Sequence, residues 1–225
     1  MDQPLPRKRK DHRAHERNRS SDGSAQETPL RIVGGSLRGR KLATTGQERT
    51  RPMKDRVREA LFNLLGSDVV DKQAIDLFAG SGALGLEAIS RRARSAVLVE
   101  QHLATAEIAR ANALELGVAA QTTVEWGDAF LWARKLLPMP GQPWVVFCSP
   151  PYSFFVERQA EMLALIGTLV ERALPGSVFV VEFDSRFDPH LLPHDGDWLV
   201  RAYPPAVVAI YRKEEADLKL LDSGA

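Results

Sequence analysis

One stretch of this sequence, from Ala74 to Glu87, constrains the fold more than any other. Its first residues are apolar and short enough to form a buried strand, and the run from Leu84 onward is typical of a helix. Gly80 and Gly82 between them allow a sharp turn, and they let a ligand approach the main chain with no Cβ in the way. The following helix would offer unpaired N–H groups to that ligand. The pattern predicts a nucleotide-type pocket at the first strand-to-helix corner of an α/β sheet.

The glycine spacing can also be read as a dinucleotide-binding fingerprint, with Glu100 in the place of the ribose-binding acid. Two details argue against a dehydrogenase or reductase. Asp76 lies inside the predicted strand, where its carboxylate would repel a dinucleotide phosphate but would accept a cationic ligand without phosphates. The motif Ser149-Pro150-Pro151-Tyr152, called the SPPY motif below, follows a later strand, and hydride transfer does not require it. A reductase is therefore the weakest interpretation.

Strand and helix patterns alternate along the rest of the chain, as in a doubly wound sheet. The predicted strands are 74–78, 95–99, 122–126, 144–148 and 177–183, with a final antiparallel hairpin of strands near 198–203 and 206–212. The predicted helices lie at 51–65, 84–91, 103–116, 129–137 and 155–173. Acidic or small polar residues recur where the parallel strands end: Asp76, Glu100, Asp128 and Ser149. Because these ends meet at one edge of a sheet, the four residues should converge on one crevice, although Asp128 could instead be a helix N-cap.

The 225 residues suit one domain with extensions. We expect a disordered basic tail at 1–29, a basic β-hairpin extension at 30–50, the catalytic domain at 51–213 and a C-terminal tail at 214–225. The one cysteine excludes an intrachain disulfide or a cysteine-based zinc cluster, and no metal is expected. No apolar run is long enough to span a bilayer. We expect a monomer in the cytoplasm.

Cations are concentrated before the glycine-rich stretch, although the net charge of the whole chain is only +1. Some could serve only to protect a sheet edge from aggregation or to solvate a helix face. The predicted hairpin around Gly34-Gly35 contains no acidic residue, which favours contact with an RNA backbone. The candidate RNA-binding residues are Arg31, Arg38, Arg40 and Lys41 on the hairpin, and Arg51, Arg56 and Arg58 on or before the first helix.

Several motifs together resemble one family. RIVGG (residues 31–35), RGRKL (38–42), DRVREALFN (55–63) and DLFAGSGALGLEA (76–88) are similar to the RsmD-type 16S rRNA guanine-N2 methyltransferases, over about residues 31–212. The resemblance implies a Rossmann-like class I methyltransferase with a mostly parallel seven-stranded sheet and a small N-terminal β-hairpin. It also implies transfer of a methyl group from S-adenosyl-L-methionine to a guanine N2 in small-subunit rRNA or in the assembling small subunit.

The same resemblance implies the roles of individual residues. Asp76 would lie near the methionine amine, Glu100 would hold the ribose hydroxyls and Asp128 would accept the adenine amino group. The full set implied to bind the cofactor is Asp76, Phe78, Ala79, Gly80, Ser81, Gly82, Glu100, Gln101, Asp128 and Ala129. The SPPY motif would carry catalysis.

The chemistry of an aromatic amine explains what the SPPY motif would do. The lone pair of such an amine is delocalised into the ring, so two acceptors, the Ser149 hydroxyl oxygen and the Pro150 carbonyl, would bind its N–H groups and aim the lone pair. Tyr152 would offer an aromatic face to an extruded base. The family usually has aspartate in place of Ser149, so two alternatives stay open. One is an amino-methyltransferase acting on DNA cytosine N4 or a protein glutamine, and the other is a non-catalytic RNA-binding ribosome assembly factor.

Overall fold

A seven-stranded sheet forms the centre of the protein, in a computed structural model that describes residues 29–44, 53–135, 141–194 and 198–214. The strand order is β3-β2-β1-β4-β5-β7-β6. The strands are β1 Gln73–Asp76, β2 Ser95–Glu100, β3 Thr122–Trp126, β4 Trp144–Cys148, β5 Val178–Asp184, β6 Leu199–Tyr203 and β7 Ala206–Arg212. The first five strands are parallel, and β6 and β7 are antiparallel. The predicted fold, including the final hairpin, is confirmed.

The strand order creates one switch point. The chain proceeds outward from β1 to β3 and then returns to place β4 on the other side of β1. Asp76, the last residue of β1, pairs with Leu98 on one side and Phe147 on the other. Because loops leave a doubly wound sheet in opposite directions at such a point, a crevice opens outside the ends of β1 and β4.

Six helices cover the two faces of the sheet. They are α1 Asp55–Leu65, α2 Ala83–Ser90, α3 Leu103–Glu115, α4 Ala129–Lys135, α5 Phe154–Glu157 and α6 Gln159–Arg172. Helices α1 to α3 pack on one face and α4 to α6 on the other, in two separate apolar clusters. Residues of β1 and β4 alternate between the clusters and are buried throughout, as expected for central parallel strands. None of the helices in the described part of the chain is long and apolar enough to cross a bilayer.

The single helix predicted over 155–173 is wrong, because the structure divides it into α5 and α6. Arg158 interrupts it with φ −128° and ψ 30°, which is not helical. Its guanidinium carbon lies 4.1 Å from the ring centroid of Phe130 on α4. Arg158 caps both helices: its N–H donates to the Phe154 carbonyl at the end of α5, and its carbonyl accepts the Met162 N–H at the start of α6. The predicted end of α4 at residue 137 lies outside the described residues.

The region predicted to be a hairpin with a Gly-Gly turn has a different local structure. Its arms are joined antiparallel by a bridge between Arg31 and Lys41, and no longer strand forms there. A 3₁₀ turn, Gly35–Leu37, lies between the arms. Gly35 has φ +74°, and a Cβ there would lie 2.0 Å from the carbonyl oxygen of Ser90. The glycine is therefore required by close packing on α2 rather than by a hairpin turn.

Candidate active site

The turn between β1 and α2, residues 77–82, is called the glycine turn here. Gly80 and Gly82 adopt φ values of +54° and +88°, which favour glycine. A Cβ at Gly80 would meet no atom within 4 Å, whereas one at Gly85 would lie 2.2 Å from Cδ2 of Leu98. Gly80 therefore borders open space, and Gly85 lets α2 pack closely on β2.

Asp76 carries an unpaired oxygen at the base of this turn. Its side chain is buried, and Oδ2 accepts a hydrogen bond of 3.2 Å from the Gly85 N–H. Oδ1 is buried and has no partner among the described residues. Burial raises the pKa of Asp76 to about 7, the backbone N–H groups of Gly85 and Phe78 oppose the rise, and the charge of Glu100 adds to it. A buried carboxylate with a free acceptor fits a cationic amine ligand.

Glu100 joins the end of β2 to the glycine turn. Its Oε2 accepts the Gly80 N–H at 2.9 Å, and its Oε1 accepts the His102 N–H at 2.8 Å. Each carboxylate oxygen has a second lone pair, so each can also accept a hydroxyl. The neighbouring Gln101 is exposed, and its carbonyl oxygen accepts the indole N–H of Trp126 at 3.0 Å.

Asp128 begins α4. Its Oδ1 accepts the N–H groups of Phe130 at 2.8 Å and Leu131 at 2.9 Å, so the interpretation of Asp128 as a helix N-cap is confirmed. A second role in binding the cofactor stays a prediction. Ala129, the first residue of the helix, is buried.

Three phenylalanines connect the segments around the crevice, and the sequence analysis did not identify this cluster. Phe78 follows β1, Phe130 lies on α4 and Phe154 begins α5, with ring centroids 6.0 to 6.4 Å apart. Arg158 stacks over Phe130 and Phe154. Phe78 is itself a predicted site residue, and Phe130 and Phe154 each lie within two residues of another predicted site residue. This proximity in sequence is the signal that could have indicated the cluster. The rings give this side of the crevice an aromatic wall.

The SPPY motif is held by an acidic residue that sequence analysis missed. The Ser149 hydroxyl donates a hydrogen bond to Oε2 of Glu182, and the Tyr152 hydroxyl donates one of 2.7 Å to Oε1. Glu182 lies on β5 and is only 4% exposed. Its sequence signal was an acidic residue within an otherwise apolar run, close to the strand's carboxyl end. Burial, followed by the hydrogen bond and charge of Glu182, raises the pKa of Tyr152 well above its ordinary value.

The prolines of the motif lead directly into α5. The Pro151 carbonyl accepts the Phe154 N–H at 2.9 Å, which closes the first turn. No backbone hydrogen bond among the described residues ends on the Pro150 carbonyl, so this oxygen keeps its acceptor capacity. Cys148, just before the motif, is buried, and burial raises the pKa of its thiol, as expected for a packing residue.

The prediction that Arg58 binds RNA is wrong. Its side chain is 0% exposed and forms an ion pair of 2.8 Å with Asp55. It also donates hydrogen bonds to the carbonyl oxygens of Met53 and Arg31. The alternative of a solvated helix face is wrong for Arg58 as well, because the N-terminal segment, residues 30–43, packs near it through Arg31.

The remaining predicted RNA-binding cations that the structure describes lie on the N-terminal segment and on α1. All five are exposed, although Arg31 pairs with Asp55 at 3.1 Å and Arg40 donates to the Glu115 carbonyl at 2.8 Å. Arg51 lies outside the described residues. The N–H of Leu37 is bonded to the hydroxyl of Ser90, the last residue of α2. Arg38 is therefore about one length of α2, roughly 12 Å, from the glycine turn.

No group of three or more histidine, cysteine, aspartate and glutamate side chains is arranged to hold a metal ion within the residues that the structure describes.

Comparison with known proteins identifies the family. The family described as Conserved hypothetical protein 95 matches residues 30–194. Ribosomal RNA small subunit methyltransferase D of Escherichia coli K12 is 40% identical over 153 residues, which cover 68% of this chain and 74% of that one. The solved structure titled "Putative methyltransferase yhhF from Escherichia coli" has a TM-score of 0.65 and 31% identity, and the match covers 83% of this chain and 99% of the other.

A more distant structure shares the fold alone. It is an RNA methyltransferase from Salinibacter ruber in complex with S-adenosyl-L-homocysteine, with a TM-score of 0.55 and 23% identity over 73% of this chain and 95% of the other. The family match, the sequence identity and the fold agree with one another. The chain therefore belongs to the Conserved hypothetical protein 95 family and is an RsmD-type methyltransferase.

Proposed function

We propose that this protein transfers the methyl group of S-adenosyl-L-methionine to the N2 amino group of a guanine in small-subunit rRNA. The position of the SPPY motif relative to Asp76 carries the proposal. Asp76 pairs with Phe147 across β1 and β4, and Ser149 follows two residues later. From strand geometry, their main chains are about 8 Å apart, close enough for a cofactor and a target amine to meet.

The cofactor supplies an electrophilic methyl group on a sulfonium sulfur. In this proposal Asp76 holds its amine through Oδ1, Glu100 accepts its ribose hydroxyls, and Asp128 accepts its adenine amino group. The glycine turn and its flanks provide main-chain contacts from Phe78, Ala79, Gly80, Ser81, Gly82, Gln101 and Ala129. The unpaired Oδ1 of Asp76 and the open space beside Gly80 support this placement.

The SPPY motif would hold the target base. The Ser149 oxygen and the Pro150 carbonyl accept the two N–H groups of the amine, which orients the nitrogen lone pair. Pro150 and Pro151 fix these acceptors, since a proline ring locks φ. The bond from Tyr152 to Glu182 fixes the phenol ring that would stack on the extruded base.

The N-terminal segment would bind RNA phosphates outside the crevice. The proposed contacts are Arg31, Arg38, Arg40, Lys41, Arg51 and Arg56. The five of them that the structure describes are all exposed, which supports the assignment. We propose that the protein is a monomer that acts in the cytoplasm on small-subunit rRNA or on the assembling subunit. Its chain would consist of a basic tail, the extension at 30–50, the catalytic domain at 51–213 and a C-terminal tail.

The test is methyl transfer from labelled S-adenosyl-L-methionine to unmodified small-subunit particles, naked rRNA and DNA, with the product identified by mass spectrometry. We expect N2-methylguanosine from rRNA or particles. Labelled N4-methylcytosine in DNA would replace this assignment, and absence of label despite tight S-adenosyl-L-homocysteine binding would favour the assembly-factor alternative.

Two matched variants connect the activity to the crevice. Asp76→Asn should lower methyl transfer at least about tenfold, because it removes the charge facing the amine. Asp71→Asn is the control, since Asp71 is exposed before β1, and its positive φ of 60° also suits asparagine. Equal activity in both variants would contradict the placement of the cofactor.

A further inference from the structure

We propose that Glu182 is a positioning residue for methyl transfer: it orients Ser149 and Tyr152, and it receives through Ser149 the proton that the target amine loses. The inference rests on the proposed function, because it requires an amino group as methyl acceptor. Strand register brings these residues together. Cys148 pairs with Val181 between β4 and β5, so the next residues, Ser149 and Glu182, are neighbours at the crevice.

Glu182 contacts both hydroxyl groups of the SPPY motif. Ser149 donates to one carboxylate oxygen and Tyr152 to the other. These two residues are separated by the two prolines, so one carboxylate fixes both ends of a rigid tetrapeptide. The contacts lie entirely within the protein, which means that the acceptor geometry is preorganised.

Within the described residues, the burial of Glu182 is compensated by the hydroxyl groups of Ser149 and Tyr152 and not by a cation. The side chain is 4% exposed and forms no ion pair with any described cation. A buried carboxylate without a cation is costly, and its β5 neighbours Val181 and Phe183 are apolar. An apolar residue would pack there at lower cost. A buried charged side chain that packing does not require is a candidate for a functional role.

The bond to Glu182 sets the polarity of the Ser149 hydroxyl. A serine hydroxyl has one proton and two lone pairs. Because its proton points to Glu182, its lone pairs are left to face the crevice. Ser149 can then only accept from the target amine, and it cannot donate to the lone pair that must attack the methyl group.

The proton transfer conserves atoms and charge. The amine nitrogen forms a bond to the methyl carbon, and the bond from that carbon to sulfur breaks with its electron pair left on sulfur. The nitrogen becomes cationic and gives a proton to Oγ of Ser149. The original Ser149 proton passes to the Glu182 carboxylate, and the carboxylic acid later releases it to water.

The test measures kcat and KM on unmodified small-subunit particles for the wild type and three variants. The variants are Glu182→Gln, the double variant Ser149→Asp with Glu182→Gln, and Glu125→Gln. The last is the control, because Glu125 is an exposed glutamate of β3. We expect Glu182→Gln to lower kcat about 100-fold. The KM values for S-adenosyl-L-methionine and for the particles should each change less than about threefold. The double variant puts a carboxylate directly at position 149 and should recover at least about tenfold of the lost kcat. A residue needed only for packing would give no such rescue.

Other outcomes overturn the inference. Wild-type kcat in Glu182→Gln would do so, as would a double variant no better than the single one. Glu182→Gln could lose S-adenosyl-L-homocysteine binding because it misfolds. In that case Ser149→Ala tests the relay instead, because this variant removes the Ser149 hydroxyl and leaves Glu182 bound to Tyr152. An unchanged kcat in Ser149→Ala then refutes the relay. Failure of the proposed function is a separate result, since in that case wild type forms no N2-methylguanosine.

Discussion

The side-chain amide of Asn112 donates a hydrogen bond of 2.9 Å to the carbonyl oxygen of Ser81 in the glycine turn. The same amide nitrogen donates to the Ala43 carbonyl at 3.0 Å, and the amide oxygen accepts the Ala43 N–H at 2.8 Å. Asn112 is buried on α3. One side chain therefore joins the proposed cofactor turn to the N-terminal segment.

Replacing Asn112 should weaken both elements. Asn112→Ala leaves three main-chain groups without their partner, at a cost of about 1–3 kcal/mol, or a fall of about 5 °C in Tm. We also expect weaker S-adenosyl-L-homocysteine binding by calorimetry, because the glycine turn loses its support. Asn63→Ala, at an exposed position of α1, is the control. Unchanged Tm and affinity in Asn112→Ala would show that the link carries no energy.

Cofactor affinity should depend on pH through Asp76. Its pKa of about 7 means that the carboxyl must lose a proton before it can pair with an amine. S-adenosyl-L-homocysteine should therefore bind about 15-fold more tightly at pH 7 than at pH 5.5, a range in which the ligand's own amine stays protonated. Calorimetric titration at several pH values measures this slope. Asp76→Asn should bind weakly with no slope, and a flat wild-type profile would argue against an Asp76–amine contact.

The same residue should make the ligand-free protein less stable as pH rises. A carboxyl whose pKa is raised by folding binds its proton more tightly in the folded state, so stability is lost as pH increases from about 4 to about 7. Asp76→Asn removes the buried charge and should raise the free energy of unfolding by more than about 1 kcal/mol at pH 8. Urea unfolding at pH 5 and pH 8 tests this. A variant less stable than wild type at pH 8 would contradict it.

The phenol of Tyr152 should report the charge of Glu182 without any substrate. Burial raises the pKa of Tyr152 most, and the hydrogen bond and charge of Glu182 add to the rise. Glu182→Gln should therefore lower the pKa of Tyr152, while burial still holds it above the ordinary value. Absorbance titration measures phenolate formation, and the Tyr152→Phe spectrum identifies its share among the three tyrosines. An unshifted titration would mean that the contact is absent in solution.

Gly35 should be needed for RNA binding but not for cofactor binding. Gly35→Ala would place a Cβ against the Ser90 carbonyl at a positive φ, which we expect to cost about 3 kcal/mol and to displace the N-terminal segment. Affinity for small-subunit rRNA should fall, while S-adenosyl-L-homocysteine affinity changes less than about threefold. Gly141→Ala is the control, because a Cβ there meets no atom within 4 Å. Equal RNA binding by both variants would exclude the segment from the interface.

Exposed cations of the segment should contribute to the salt dependence of RNA binding. Arg38→Ala combined with Lys41→Ala should reduce the slope of log K against log salt by about 0.7–0.9 for each phosphate that the variant no longer neutralises. Filter binding at several salt concentrations gives the slope. Arg201→Ala removes an exposed cation of the edge strand β6 and should leave the slope unchanged. If the double variant also leaves it unchanged, these residues do not contact phosphates.

The sequence by itself determined the sheet and the place of the crevice. Strand and helix periods are local, so β3 and β4 were predicted with the bounds that the structure shows. The glycines after Asp76 located the turn because positive φ values favour one residue type. Parallel strands end at one edge, so Asp76, Glu100 and Ser149 could be assigned to one site from the order of the strands and helices along the chain.

Tertiary structure alone decided which polar groups meet. Glu182 lies 33 residues from Ser149, and Asn112 lies 31 residues from Ser81. Periodicity shows which face of an element is buried, but not which distant partner that face meets. Strand order and register supplied Glu182 as the partner of the SPPY motif, and packing of the N-terminal segment buried Arg58, which sequence had assigned to RNA. A charged side chain is solvated or buried according to what covers it, and that cover comes from residues far away in the chain.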